Sequence, residues 1–419
     1  MARRSRTRFR VARWSVSHAG HHFALSATAE YTFLPDPIHL AVLIMPSRLL
    51  LLVFTLLLMG GCSSPEEAVT TADSATALGD PVENVFLITL DGLRWEEVFT
   101  GADPWLLNNN DYTNNREEVA SRFWRDTPEA RREALMPFFW DVIADEGTLW
   151  GNRHLGSTGE VTNGEVFSYP GYNEILTGFA DETIVSNDKV PNRNETVLEW
   201  VNGQPGFEGR VAAFGSWDVF PYIVNEERSG VPVNAGFDSA EGELTEKEAW
   251  LNELQAQTPS PWTAVRLDVF THHYALETLK SDRPRLVYIS YGETDDFAHD
   301  GDYRHYLDAA YRTDAFIRDL WTWVQNDPGY AGKTTFLITT DHGRGEQDRW
   351  VGHGADWKGS EAIWVAALGP GFPHVGEVGI AVSGEVPAPV YQNQMAATVA
   401  ELLGLDYTNR LPIGGSLLD

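Results

Sequence analysis

The sequence predicts an α/β fold, a largely parallel central sheet sandwiched by helices and carrying cap insertions. Three observations predict it. Apolar runs at 85–90, 286–290 and 335–340 have the unbroken hydrophobic character of strands buried on both faces. Helical patterns lie between such runs, as at 306–324 and 392–403, and alternating strands and helices imply parallel pairing. The chain has 419 residues, 43% hydrophobic and 22% charged, ample for one large α/β domain or two smaller ones.

The first 44 residues fit neither pattern. They carry Arg3, Arg4, Arg6, Arg8, Arg10 and Arg13 without apolar periodicity. Either they form a basic arm, or translation begins at Met45; the second reading is favoured, because Met45 opens an export signal. Arg48 supplies the positive start, 49–59 is an apolar stretch, and Gly60-Gly61 precede Cys62. The stretch is too short to span a bilayer comfortably, since a spanning helix needs about 20 residues. Leu58-Met59-Gly60-Gly61-Cys62 resembles a bacterial lipobox, with Met59 where Leu is usual. Residues 45–61 are then a lipoprotein signal, and Cys62 becomes the acylated anchor of a periplasmic or cell-surface protein. An ordinary cleaved signal with a chance cysteine is the alternative. Residues 62–81, rich in Ser, Thr, Ala, Glu, Gly and Pro, read as a tether.

Charge and cysteine count exclude much. With 31 Lys and Arg against 60 Asp and Glu, the net charge is −29, which leaves no basic surface for nucleic acid. The single cysteine excludes a disulfide framework and a thiolate zinc cluster, while twelve His remain for metal or acid–base work.

From residue 82 onward the elements follow in order. The run 85–90 ends at Asp91-Gly92. The run 286–290 leads into an acid-rich loop holding Asp295 and His299, four residues apart and so on one face of a helical turn. The run 335–340 ends at Asp341-His342-Gly343, and 362–368, followed by Gly-Pro-Gly, reads as a fourth strand. Residues 97–140 and 205–280, rich in Trp, Asn and Pro, read as insertions or a cap over the site. Ligands of such sheets bind beyond the C-terminal strand ends, where these acids and imidazoles fall. Each has an ordinary alternative: Asp91 as a helix cap, Asp295 and His299 as a surface pair. Together with His353, inside Gly352-His353-Gly354, they make three carboxylates and three imidazoles. That donor set, without thiolate, suits zinc and also manganese.

On these residues the chain resembles the alkaline phosphatase superfamily, in particular its phosphodiesterase/nucleotide pyrophosphatase branch. The order of that family is Asp, a Ser or Thr nucleophile, Asp-x-x-x-His, Asp-His-Gly and a late His. It is matched here by Asp91, Ser168, Asp295 with His299, Asp341 with His342, and His353. The resemblance covers most of 82–419 and implies an alkaline phosphatase-like domain closed by a helix near 392–405. It implies two divalent ions, one on Asp295, His299 and His353, the other on Asp91, Asp341, His342 and Ser168. It further implies hydrolysis of phosphate esters, diesters above monoesters, through a phosphoseryl intermediate on Ser168.

Ser168, Pro170 and Gly178 match the offsets of the diesterase nucleophile loop, and a serine at a helix start faces the positive end of the helix dipole. Its alternative is a plain N-cap, and Ser157 and Thr158 are rivals. Asn187 lies near the position of an Asn that binds a phosphoryl oxygen in that branch, about two residues early. The sulfatase pattern Cys/Ser-x-Pro-x-Arg is broken by Tyr172 at its fifth position. No Lys-x-Arg pair of the monoesterase kind occurs in 180–280; Arg344, Arg349 and Lys358 are candidates to replace it. His272-His273 reads as a surface pair of the cap. Open alternatives are monoester, sulfuryl or phosphonate hydrolysis, phosphoryl transfer on the same site, and a non-catalytic surface-anchored binding protein. A membrane-embedded transferase would bring several spanning helices, which this sequence does not show. Oligomeric state leaves no mark in the sequence.

Overall fold

The computed structural model describes residues 82–419. The arm 1–44, the signal 45–61, Cys62 and the tether 62–81 lie outside the described residues. The described strands are β1 (Asn84–Leu90), β2 (Gly147–Trp150), β3 (Gly159–Glu160), β4 (Val211–Gly215), β5 (Val233–Ala235) and β6 (Leu286–Tyr291). They continue as β7 (Thr334–Thr339), β8 (Ala362–Ile363), β9 (Val365–Leu368), β10 (Gly376–Glu377) and β11 (Val390–Tyr391). Eight of them form one sheet in the order β10-β2-β9-β7-β1-β6-β4-β5, and β11-β3-β8 form a small second sheet. In the large sheet every neighbouring pair is parallel except the two that flank β9.

The centre of the sheet explains the apolar runs. In β1, Phe86, Ile88 and Leu90 enter one core, which also holds Phe336, Ile338, Leu307 and Ile317. Val85 and Leu87 enter the other, with Tyr172, Ile175, Ala396 and Val399. A strand covered on both faces has no polar alternation. The first core rests on the 24-residue helix Tyr303–Asn326, which buries Tyr306, Leu307, Ala310, Ile317, Leu320 and Val324 at helical spacing. The second rests on the helices Ser168–Thr177 and Met395–Leu402. No described helix is long and apolar enough to cross a membrane.

Register places the site. β1 pairs in parallel with β6 from Val85↔Leu286 to Leu90↔Tyr291, and with β7 from Asn84↔Thr334 to Thr89↔Thr339. Three adjacent central strands therefore end level, and Asp91, Asp295 and Asp341-His342 follow from the same edge.

Three expectations are corrected. Residues 362–368 do not form one strand: β8 joins the small sheet, fully buried Trp364 interrupts, and β9 runs antiparallel. The Trp364 indole donates to the Leu93 carbonyl at 2.9 Å, which fixes the break. Residues 205–280 supply two strands of the central sheet as well as helices. β4, Val-Ala-Ala-Phe-Gly, is short and poor in β-branched residues, and its pairing with β6 rather than its own propensity makes it a strand. Residues 97–140 are no loose cover: Phe99, Leu106, Val119, Phe123, Leu135 and Phe139 are buried in the same core as Phe86 and Phe336.

Candidate metal centre

Two groups of donors sit beyond the strand ends, Asp91 with Asp341 and His342, and Asp295 with His299 and His353. Within each group one ligand atom per residue lies within 4.8 Å of the others. The rings of His342 and His353 stack at 3.8 Å and join the two groups into one centre.

The first group is buried. His342 Nε2 lies 3.5 Å from Asp91 Oδ1 and 3.4 Å from Asp341 Oδ2. Those two oxygens, Asp91 Oδ1 and Asp341 Oδ2, have no hydrogen-bond partner among the described residues. The other two are held: Tyr172 Oη donates to Asp91 Oδ2 at 2.8 Å, and Gly92 N to Asp341 Oδ1 at 3.1 Å. His342 Nδ1 meets the Gly343 carbonyl at 2.9 Å, so that nitrogen carries the proton and Nε2 faces the acids with a free lone pair. Burial, then the charges of Asp341 and Asp295, push the Asp91 carboxyl well above the usual range. Burial, then Asp295, pushes Asp341 up to about 8. Burial, then His353, holds His342 far below an ordinary imidazole and so neutral. Two carboxylates with orphaned oxygens, facing a neutral imidazole, fit a divalent cation and little else.

Close backbone approach makes the group possible. Gly92 has φ +58, and a Cβ there would lie 2.7 Å from Asp295 Oδ1 and 2.8 Å from Arg344 Nη1. A Cβ at Gly171 would lie 2.6 Å from the Asp341 carbonyl. Glycine alone fits either position.

In the second group His299 Nε2 lies 3.1 Å from Asp295 Oδ2 and 3.0 Å from His353 Nε2. His353 Nδ1 faces the Val166 carbonyl at 3.4 Å. Arg344, fully buried, donates Nη1 to Asp295 Oδ1, Nε to the Trp350 carbonyl at 2.6 Å and Nη2 to the Val351 carbonyl at 2.8 Å. Burial pushes the Asp295 carboxyl up, but Arg344, His299 and His353 outweigh it and hold it well below the usual range. Burial lowers His353 to about 4.

Ser168 opens the helix Ser168–Thr177, and the residue before it, Phe167, is the cap; no side chain caps this end. Its hydroxyl is thus not spent on capping and lies 3.4 Å from His342 Nε2. Val166, two residues earlier, has φ +55, a strained position for a β-branched residue of the kind that collects at functional sites. The Asn163 carboxamide oxygen accepts from Val166 N at 2.8 Å, and buried Glu174 accepts from Asn163 N and Thr162 N at 2.9 Å each, which clamps the turn. Asn187 is exposed, and its Oδ1 accepts from Tyr169 N at 2.9 Å, beside the serine. Of the rivals, Ser157 is committed to Gly151 N at 3.1 Å.

All six expected metal donors and Ser168 thus converge. Arg349 instead stacks on Trp357, and Lys358 pairs with Glu346 on the surface; of the three cations considered only Arg344 reaches the centre. His272 is buried against Phe316, not a surface residue. Sequence reading missed Tyr172 as a partner of Asp91, although its place one turn after Ser168 on the same helix was a usable signal. It also missed Gln392, whose Nε2 donates to the Asp341 carbonyl at 2.6 Å. Nothing in the sequence marks that contact, which spans 51 residues.

No protein-family model matches the chain. Among curated proteins it is 25% identical over 226 residues to GPI ethanolamine phosphate transferase 1 of Mus musculus, covering 52% of this chain. The Homo sapiens protein of that name gives 25% over 228 residues. Either match spans only 22% of the relative's length. Among solved structures, a lipoteichoic acid synthase of Listeria monocytogenes superposes with a TM-score of 0.52 at 11% identity, over 80% of this chain and 75% of the other. The chain has the fold of the alkaline phosphatase superfamily. A putative sulfatase of Bacteroides thetaiotaomicron matches this alkaline phosphatase-like fold with a TM-score of 0.50 at 13% identity, over 80% and 74% of the two chains. At such identities the likeness is one of architecture.

Proposed function

We propose that this chain is a metal-dependent enzyme that cleaves phosphate esters, diesters in preference, with Ser168 as nucleophile. One observation carries the reading. A buried serine hydroxyl at a helix start, not spent on capping, lies 3.4 Å from His342 Nε2, which itself faces the partnerless oxygens of Asp91 and Asp341. Divalent ions, zinc or manganese by the donor chemistry, would neutralise phosphoryl charge and lower the pKa of the serine hydroxyl and of water. The chain's own residues do the rest. The helix start presents Ser168 Oγ to phosphorus for in-line attack, with the leaving ester oxygen departing opposite. Asn187, whose Oδ1 is held by Tyr169 N, keeps its amide N–H groups for a phosphoryl oxygen. The phosphoseryl ester is then opened by water.

A second reading shares the first half of this reaction. The similarity to an ethanolamine phosphate transferase favours transfer to an acceptor hydroxyl instead of water. The sulfatase likeness is one of fold, and Tyr172 occupies the fifth position of the sulfatase pattern, where Arg stands, so sulfuryl hydrolysis is the weaker option. Acylation of Cys62 would place this chemistry at a membrane surface; metabolic labelling with an acyl precursor, lost in Cys62→Ala, tests that anchor.

The test of function pairs bis-p-nitrophenyl phosphate, p-nitrophenyl phosphate and p-nitrophenyl sulfate with wild type and Ser168→Ala. Diester turnover should exceed the other two and fall by about a thousandfold or more in the variant. Unchanged turnover in Ser168→Ala would remove the serine mechanism. Product analysis with added alcohol separates transfer from hydrolysis.

A further inference from the structure

The two donor groups differ in a way that the shared fold does not demand. In the group of Asp91, Asp341 and His342 two buried carboxylate oxygens have no partner, and His342 Nε2 faces them with only the Ser168 hydroxyl, 3.4 Å away, beside it. The group of Asp295, His299 and His353 is complete in itself. Asp295 Oδ1 accepts from Arg344 Nη1, and Asp295 Oδ2 faces His299 Nε2 at 3.1 Å. Arg344 Nη2 also points at His299 Nδ1, 3.4 Å away. An arginine can only donate, so it favours the tautomer in which His299 Nδ1 is the acceptor and Nε2 carries the proton. That Nε2–H then serves both Asp295 Oδ2 and His353 Nε2. Arg344 is locked in this place, because its Nε and Nη2 also donate to the Trp350 and Val351 carbonyls and Trp350 is packed edge-on against Tyr112, Tyr303 and Tyr306.

We propose that Arg344 is a built-in cation of the Asp295–His299–His353 group, so that the centre takes up its divalent ions unequally. The Asp91–Asp341–His342 group fills first and tightly. The second group fills only against the charge of Arg344, and only after the His299 proton has moved from Nε2. Two positive charges sharing one carboxylate at contact distance repel strongly in a buried site. Arg344 is on this account a positioning residue that sets the order and strength of ion uptake. The inference rests on the reading of both groups as metal sites.

The experiment is a titration of the chelator-treated full chain with Mn²⁺ alone, read by calorimetry and by the spin-resonance signal of free Mn²⁺. Wild type should show two classes of site at least tenfold apart. Asp341→Asn should remove the tight class, and His353→Ala the weak one. Arg344→Gln and Arg344→Met should tighten the weak class by tenfold or more while leaving the tight class within about twofold. Arg344→Lys, which retains the charge, should keep the classes apart. Circular dichroism checks that each variant is folded; if the neutral variants fail to fold, the wild-type, Asp341→Asn and His353→Ala titrations still decide whether uptake is unequal and which group is the weak one, and a tight class lost in His353→Ala overturns the proposal. Two equal sites in wild type, or a second site that neutral variants weaken, would overturn the proposal. Absence of any binding of Mn²⁺, and of Zn²⁺ in the same calorimetry, would overturn it together with the enzymatic reading. Two unequal classes without ester turnover would sink the enzymatic reading alone.

Discussion

At the scale of single residues, the decisive quantity is the charge stored on Asp91 and Asp341. Without an ion, both carboxyls are buried beside each other and hold their protons far above the ordinary range, Asp341 to about 8. A raised carboxyl pKa means that the folded chain binds a proton the unfolded chain has lost. Its stabilising contribution is full below the unfolded value near 4 and disappears as pH rises through 8. His353, lowered to about 4, works in the opposite sense between pH 4 and 6.5 and masks the effect there. Chelated protein should therefore lose roughly 2 kcal/mol between pH 6.5 and 8, a few degrees in Tm. Asp341→Asn should reduce that loss, with buried Asp91 and Asp296 still contributing to it, and raise the Tm of the chelated protein at pH 8, while abolishing turnover. Thermal melts of both proteins across that pH range check it; a wild-type melt that climbs toward pH 8 would contradict the account. Gly92 belongs to the same scale: Gly92→Ala drives a Cβ into Asp295 and Arg344 at a positive φ, and should cost both ion binding and stability.

At the scale of elements, the turn before the helix Ser168–Thr177 is held by one buried acid. Glu174 accepts from Thr162 N, Thr162 Oγ1, Asn163 N and Asn163 Nδ2, and Asn163 in turn holds strained Val166. Burial raises the Glu174 carboxyl despite these bonds. Glu174→Ala leaves buried amides without partners and should cost about 2–4 kcal/mol. Because Val166 also carries the carbonyl facing His353, the variant should lower kcat beyond its effect on stability. A variant destabilised to that extent yet with full kcat at low temperature would show that the turn does not position the serine. This element was only half legible: the Ser168 helix start could be read from its sequence, whereas the strain at Val166 follows from contacts with 162–163 and 174.

At the scale of the whole molecule, an acidic chain closes around a cluster of further acids. With 60 acidic against 31 basic residues, compaction works against self-repulsion. Raising NaCl from about 0.05 to 0.5 M should raise the Tm of the chelated protein by several degrees through screening. Chelation itself should lower the Tm at low salt, because cations bound by the two donor groups would hold the three strand ends together. Calorimetry with and without chelator checks both; a Tm that ignores chelation once the metal is shown to be gone would mean that the acids are satisfied by other means.

Sequence alone determined the central strands, since runs such as Val-Phe-Leu-Ile-Thr-Leu at 85–90 can only be covered on both faces, and it determined the donor set, since Asp and His at the ends of such strands share one sheet edge. Ser168 was singled out by the resemblance of Ser168, Pro170 and Gly178 to the diesterase nucleophile loop, and the structure sets its hydroxyl beside His342. Tertiary structure decided the rest. Whether β4 is a strand, whether 97–140 is cover or core, and which way β9 runs depend on neighbours distant in the chain. So does the difference between the two donor groups, because Arg344 is buried against Asp295 by a loop anchored on Trp350. Local pattern records burial and period; it does not record which distant charge a buried side chain will meet.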